Sequence, residues 1–593
     1  MGVSSCLIES LYAMTWRCAA RLLNGVLAVI TFGFTPCAHA QASASILDAA
    51  PEGVLIQEQR QEQTKAMLPP KHDELHSVVS NIQGLQKLSP ETPCFNVRAV
   101  NFSGDHYRRF YWLTLYAQPL IGQCVGAHAL AEVADVLDAK LVAMGYTTSR
   151  VSFPSQNLAD GDLDIHIDVG TVSSVRMVRA DTGKPDTEWG TWHNAFPVVP
   201  GDTLNIRDLE QGVEQMDALS SQSVKTLLEP GAIPNSSVVI IQRQSAPWTQ
   251  RIHGGITLDN SGSQYVGRPQ LSSAASMDNP LGLNDLLSLN ASSNVEQPTN
   301  DHRSQSLGLN YTIPWDYNTY TFSDNYVRYA QIVQGTTAQF LSSGTNKTVR
   351  TEWDRIIWRT ASTKIGLFAA IFTEQASNDL NDIEILVQQL NTVNFDKGMS
   401  LKTKLDSGGE ISARVNYRTG LSSDGAQNDL PTATQGGLTV RPNIWGLNID
   451  WNQPFTIAGQ PWLYHSTFHG QATRDTLISE DQMFIGDRYS IRGFDGNTVL
   501  MAESGYALRN DLSRPVTFIP EWNSAAYVGL DAGRVWGPSA ANLVGTELVG
   551  AVMGVRGQQK SIQYDLALGT PVYHPAGFDS GRFNAYLSVG KTF

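Results

Sequence analysis

The stretch Arg488-Tyr-Ser-Ile-Arg-Gly-Phe-Asp-Gly496 carries two arginines, two glycines and two aromatic residues between segments that read as strands. Its glycines let the backbone turn sharply and lie close to a neighbour. Arg492 holds a permanent charge on a planar fork of donors matched to a carboxylate. Downstream, Tyr527-Val-Gly-Leu-Asp-Ala-Gly-Arg-Val-Trp536 reads as a strand. Alternation places Tyr527, Gly529, Asp531 and Gly533 on one face, and Val528, Leu530 and Ala532 on the other. Asp531 thus sits among small residues with room for a visitor. The pattern predicts that the Arg492 loop folds back and pairs with Asp531. A solvated arginine at an exposed hairpin tip is the other reading of the same residues.

The surroundings of the loop favour the first reading. Period-two alternation with turn signals runs through residues 251–593. It is clearest at Thr319–Val333, Thr351–Arg359, Lys364–Phe372, Glu410–Tyr417, Leu447–Asn452 and Val549–Gly557. Between fifteen and seventeen strand candidates are present, and bacterial single-chain barrels use even numbers, which makes about 16 the expectation. In the last strand Phe583, Ala585, Leu587, Val589 and the C-terminal Phe593 share an apolar face, and Lys591 can snorkel to an interface. Asn584, Tyr586, Ser588, Gly590 and Thr592 form the polar face. Such a strand, closing on the first, leaves no open edge in lipid. A large soluble sandwich would need a second apolar face that most strands lack. The mean hydropathy of −0.19 agrees with a barrel, because alternating strands average out.

Ahead of the barrel the chain changes character. Arg17 and Arg21, the apolar run Leu22–Phe34 and Ala38-His-Ala40 read as a signal peptide ending at residue 40. Residues 49–67 favour helix and are polar all round in their second half, which suits either water-lined surroundings or a disordered N-terminus. Pro69-Pro70 ends that segment, and 68–92 read as a linker. Two units follow: one of order β-α-α-β-β at 93–170, and a looser repeat of it at 171–247 with a strand at 172–179, a helix at Ile206–Leu219 and strands at 224–229 and Val238–Gln242. Each implies a three-stranded sheet with helices on one face and an edge able to take up an extended peptide. Cys94 and Cys124 are the pair left after cleavage, and an oxidising compartment favours a disulfide between them over a metal site.

The formal charge of −14 and pI near 5.3 make a nucleic-acid partner unexpected. No phosphate-cradling loop, metal-ligand cluster or convincing G-x-S-x-G is visible, so neither an enzyme nor a cofactor nor a metal is expected.

Several motifs now carry a resemblance. Cys94-Phe95 with Cys124, Gln156-Asn-Leu-Ala-Asp-Gly-Asp-Leu163 and Gly170 resemble a first POTRA module. Leu209-Glu-Gln-Gly-Val-Glu-Gln215 and Glu229-Pro-Gly231 resemble a second. Leu258-Asp-Asn-Ser-Gly262 and Asp278-Asn-Pro-Leu-Gly-Leu-Asn-Asp285 look like opening barrel strands. Glu503-Ser-Gly505 and Arg509-Asn-Asp511 look like the strand after the loop. Ile491-Arg-Gly-Phe494 is similar to the VRGY/F loop motif of the BamA-type superfamily, with Ile in place of Val.

In this order the motifs resemble a TpsB transporter of two-partner secretion, of the haemolysin and filamentous-haemagglutinin type, over essentially the whole mature chain. The resemblance implies a transmembrane antiparallel β-barrel at 248–593, two POTRA modules, a plug helix at 41–67 and an outer-membrane location. It implies the Ile491–Phe494 loop in the lumen, facing Asp531. It implies a TpsA-type exoprotein with an N-terminal secretion domain as partner, lipid around the barrel, and the barrel-assembly machinery for insertion. Vectorial folding outside the cell would drive transport without ATP. The alternative is an assembly factor for barrel proteins. A wet lumen would make the Arg492–Asp531 contact modest in energy unless neighbouring side chains exclude water.

Overall fold

Backbone amides in hydrocarbon need partners, so strands that cross a membrane must close into a barrel. The computed structural model describes residues 73–76, 85, 88 and 90–593, apart from 297, 300, 335–338, 424 and 518–520. Among these, sixteen long antiparallel strands form a closed barrel, with the two-residue strand Ile383–Glu384 as an added flap on Asp379–Leu380. The barrel opens with Ile252–Asp259 and ends with Asn584–Thr592, which pair with each other from Ser588↔Asp259 to Thr592↔Gly255. Phe593 continues this seam: its N–H donates to the Gly254 carbonyl at 2.9 Å. The signal peptide, the plug-helix segment and most of the linker lie outside the described residues.

The six segments with the clearest alternation all fall inside barrel strands. Outward faces carry Leu367, Ile371, Met399 and Val415, all exposed to the surroundings of the barrel. Inward faces carry Lys364, Phe368, Phe372, Glu374 and Asn378, all buried. On this wall charges interlace with rings: Arg414 lies 3.4 Å from the Phe368 ring centre and donates to Glu352, and Arg350 reaches Asp396.

The first module holds the sheet Ala99–Ser103, Asp162–Asp168 and Arg150–Ser152, with helix Ala127–Ala143 packing Val133, Leu137 and Leu141 onto it. Glu91 caps that helix, accepting from the N–H groups of Gly126, His128 and Ala129 at 2.7–3.0 Å. The second module has the sheet Thr171–Arg179, Ser236–Ser245 and Gln222–Pro230. Its one α-helix among the described residues, Ile206–Asp217, lies where the looser repeat places it. The stretch 180–205 is interrupted by Pro185, Pro197, Pro200 and three glycines, and it is spent on docking. Trp189 Nε1 donates to the Asn279 carbonyl at 2.9 Å, and Asn194 Nδ2 bridges the Leu283 and Pro314 carbonyls on two barrel turns. A fully buried Arg243–Asp186 pair, 2.8 Å apart, holds this docking stretch to the sheet.

Cys94 and Cys124 are joined, 30 residues apart, beside the two-residue ladder Phe95–Asn96 with Cys124–Val125. Closing a loop of that length stabilises a fold by roughly 3–4 kcal/mol on the chain-entropy account. Thiol labelling of unfolded, unreduced mature protein is expected to find neither cysteine free. Cys94→Ser is expected to lower the urea midpoint of the first module without affecting barrel heat-modifiability.

Candidate functional site: the loop tip in the barrel lumen

The loop between strands Gln460–Thr473 and Ser504–Val516 turns inward because its own residues fold it. The Asp487 carboxylate accepts from Tyr489 N, Ser490 N and Ser490 Oγ, and Ile491 N donates to the Asp487 carbonyl. A short hairpin, Met483–Ile485 with Leu500–Ala502, forms its stem. Ile491 and Phe494 are buried with Leu500, Val535, Leu548 and Phe578, so the tip is anchored on both sides of Arg492 by apolar packing.

Arg492 is the centre of the contact. Its Nε and Nη2 meet the two oxygens of Asp531, each at 2.7 Å, and its own N–H donates to Asp531 Oδ2 at 3.0 Å. Its Nη1 lies 2.6 Å from Asp511 Oδ1. Asp531 also accepts from Asn510 N. Arg492 is 6% exposed, Asp531 0% and Asp511 6%. The contact is therefore dry, and the modest energy expected of a wet lumen does not apply. A fork-to-fork pair of this kind gains strength from two parallel charged hydrogen bonds.

Close approach depends on missing side chains. A Cβ on Gly550 would fall 1.8 Å from the Arg492 carbonyl oxygen, and one on Gly569 would fall 2.9 Å from Gly493 N. Added Cβ atoms on Gly529 and Gly533 would press on Arg492 Nη2 and Ile491 Cδ1 at 2.8 and 2.9 Å. Four glycines on three neighbouring strands thus form a groove for the tip. Gly493 itself has φ +118°, which disfavours any other residue. The closing strand completes the grip. Tyr586 OH accepts from Gly493 N and donates to the Phe494 carbonyl, both at 2.7 Å, and Asn584 Nδ2 donates to the Gly493 carbonyl at 2.6 Å.

The structure brings Ile491, Arg492, Gly493, Phe494 and Asp531 together. Cys94 and Cys124 lie in the first module, and Phe593 at the seam. Sequence reading passed over Asp511, Gly550, Gly569, Asn584 and Tyr586 as parts of the site. Asp511 carried a signal, because Arg509-Asn-Asp511 places it on an inward face; the other four depend on register between strands.

Two cavities flank the tip, of about 1030 and 980 Å³, and Arg492, Arg509, Asp511 and Arg556 border both. The second also takes in Glu214 from the helix of the second module. A barrel with a loop folded into its lumen, joined to α+β modules docked at its mouth, has the architecture of an outer-membrane polypeptide transporter. Residues 235–557 match the family model described as haemolysin secretion/activation protein ShlB/FhaC/HecB, 95–170 that of the ShlB-type POTRA domain, and 174–230 that of a POTRA domain.

The chain belongs to the ShlB/FhaC/HecB family of haemolysin secretion/activation proteins, the outer-membrane transporters of two-partner secretion. It is 34% identical over 532 residues to outer membrane transporter CdiB-2 of Burkholderia pseudomallei (strain 1026b), covering 85% of this chain and 88% of that protein. It is 26% identical over 560 residues to the haemolysin transporter protein HpmB of Proteus mirabilis, covering 90% and 92%. In fold it is similar to CdiB from Escherichia coli, with TM-score 0.78, 22% identity, and coverage of 93% and 100%. The family places the chain with secretion transporters rather than with barrel-assembly factors.

Arg492→Ala leaves the fully buried Asp531 without its cation and Asp511 with Arg556 alone, a loss of about 3–5 kcal/mol for pairs of this type. Thermal melting of the assembled barrel is expected to show it, with Asp531→Ala similar and the double variant little worse than either. Gly550→Ala is expected to expel the tip while leaving every charge in place, and so to reproduce the Arg492→Ala defect. Independent, additive losses would show that the two residues do not share one contact.

Proposed function

We propose that the chain moves a large unfolded exoprotein, with an N-terminal secretion domain, from the periplasm through the barrel to the cell surface. The reading is carried by one observation: Glu214 of the second module and Arg492 of the loop tip border the same lumenal cavity. The lumenal cavity thus reaches the helix of the second module. The first module, 93–170, and the second, 171–247, take up the secretion domain along a free sheet edge. In the second module the open edge is Gln222–Pro230, because Thr171–Arg179 is bridged on its outer side to Pro185 and Thr203 of the docking stretch. Backbone hydrogen bonds supply affinity there, and side-chain pockets supply specificity.

The Ile491–Phe494 loop is a positional device. Its tip fills the lumen beside Asp531 and must shift for a polypeptide to pass. The segment 41–67 plugs the pore at rest, the barrel spans 248–593, and Phe593 presents the closing strand to the barrel-assembly machinery. Folding of the exoprotein outside supplies the direction of transport, and neither catalysis nor a cofactor is required.

The test is export of the exoprotein encoded beside the transporter. With the intact chain it is expected at the surface, open to added protease. With Arg492→Ala or Gly550→Ala it is expected to stay in the periplasm while the barrel remains assembled. An exoprotein that reaches the surface equally well without the transporter would overturn the reading. Deletion of 46–67 is expected to raise single-channel conductance while export persists; unchanged conductance would remove the plug from the account.

A further inference from the structure

The short segment Asp73–His76, inside the expected linker, is seated at the periplasmic mouth of the barrel. His76 N donates to the Ala361 carbonyl at 2.8 Å, on the turn between two barrel strands. Leu75 is 1% exposed. Asp73 reaches two lysines of the inner wall: Oδ1 lies 2.9 Å from Lys364 Nζ, and Oδ2 lies 2.7 Å from Lys402 Nζ. Burial alone would raise the Asp73 carboxyl, but hydrogen bonds from Lys402 and Lys364 outweigh it and hold the group well below the usual carboxylate range. Its charge is thus present across the physiological range.

Each lysine has a second carboxylate. Lys364 also meets Glu214, from the helix of the second module, and Lys402 lies 3.2 Å from Glu410 on the next strand. Arg359 meets Glu214 as well, at 2.9 Å. Withdrawing Asp73 therefore leaves no cation of the wall without a partner. That separates it from Arg492, whose removal strands the fully buried Asp531. A buried charge costs most when it is left alone, so Asp73 is a contact built to break cheaply. Glu214, Lys364 and Lys402 also line the cavity that runs to Arg492, so the segment is seated where a polypeptide would enter.

We propose that Asp73 is a release latch: it holds the segment Asp73–His76 at the periplasmic mouth through Lys364 and Lys402, and a translocating polypeptide displaces it. The proposal rests on the reading that the exoprotein enters by this mouth. Lys364 couples the latch to the second module, because one ammonium serves both Asp73 and Glu214. A polypeptide handed over by that module meets the latch first.

The probe is Leu75→Cys in the purified full mature chain, labelled with a charged maleimide. Cys94 and Cys124 are bonded to each other and stay silent. In the chain with Asp73 intact, labelling is expected to be slow. Asp73→Lys is expected to speed it at least ten-fold and to raise conductance in planar bilayers. Asp73→Lys with Lys402→Glu is expected to restore protection, which a merely misfolded variant would not. Heat-modifiability reports that the barrel is intact in each case. Equal labelling rates with and without Asp73→Lys, or no restoration by the swap, would overturn the latch. A second arm uses an exoprotein stalled in the pore by a bulky folded C-terminal fusion. Stalling is expected to speed labelling of Leu75→Cys, and a stalled chain that leaves the rate unchanged overturns displacement. Failure of export by the intact chain would instead strike the transport reading, while the charge swap still decides whether the latch exists.

Discussion

The buried guanidinium of Arg492 between Asp531 and Asp511 constrains everything near it. A charge taken out of water is tolerated only where geometry and hydrogen bonds are close to complete. Completeness here needs three elements at once. The loop must be pre-folded by Asp487, the receiving wall must lack side chains, and two strands must supply carboxylates at the right register. Asp531 stands opposite Gly550, and Asp511 opposite Gly529. In both cases an acid faces a glycine across the ladder. The space that the loop tip needs and the charge that holds it are thus written into the same strand pairs.

Much of this was open to inspection before any coordinates. Arg492 announces a need for a carboxylate, and Gly529 and Gly533 flank Asp531 on one face. Alternation at period two is a property of a single strand, so barrel strands declared themselves one by one. What stayed hidden depends on pairs of strands. Gly550 and Gly569 look like ordinary glycines until register sets them under the tip. Tyr586 and Asn584 read as polar lumen residues until closure brings the last strand beside the loop. The strand Gln339–Arg359 shows the same limit differently. Only its second half alternates clearly, because 342–348 carry Ser, Gly, Thr, Asn and Lys on both faces. Two polar faces give no period to read. In the second module, propensity could not foresee that 180–205 would be used for docking, since its partners lie on barrel turns about a hundred residues downstream.

The two ion clusters differ in kind, and the difference follows from burial and sharing. At the tip, one cation serves two carboxylates; Arg556 also reaches Asp511 at 3.4 Å, but Asp531 depends on Arg492 for its charge partner. At the mouth, cations and carboxylates are interleaved, so any single partner can leave. The first arrangement favours one state strongly; the second lets two states lie close in energy. A transporter needs both properties in different places, because an unoccupied pore must stay shut and an engaged one must open without unfolding.

The loop tip also bears on closure of the barrel. The last strand pairs with the first over only five residues, against seventeen between Asn318–Gln334 and its neighbour. Yet the last strand exchanges three further hydrogen bonds with the loop tip, through Tyr586 and Asn584. The loop reaches across the seam as well: Arg268 meets Asp495 at 3.1 Å, and Gln264 N donates to Asn497, both from the turn after the first strand. The tip is therefore a staple over the weakest ladder in the wall. Energies of groups that share partners are not additive, so withdrawing the tip weakens the seam beyond the loss of the Arg492 contact itself. The same few residues thus hold the tip in the lumen and brace the seam.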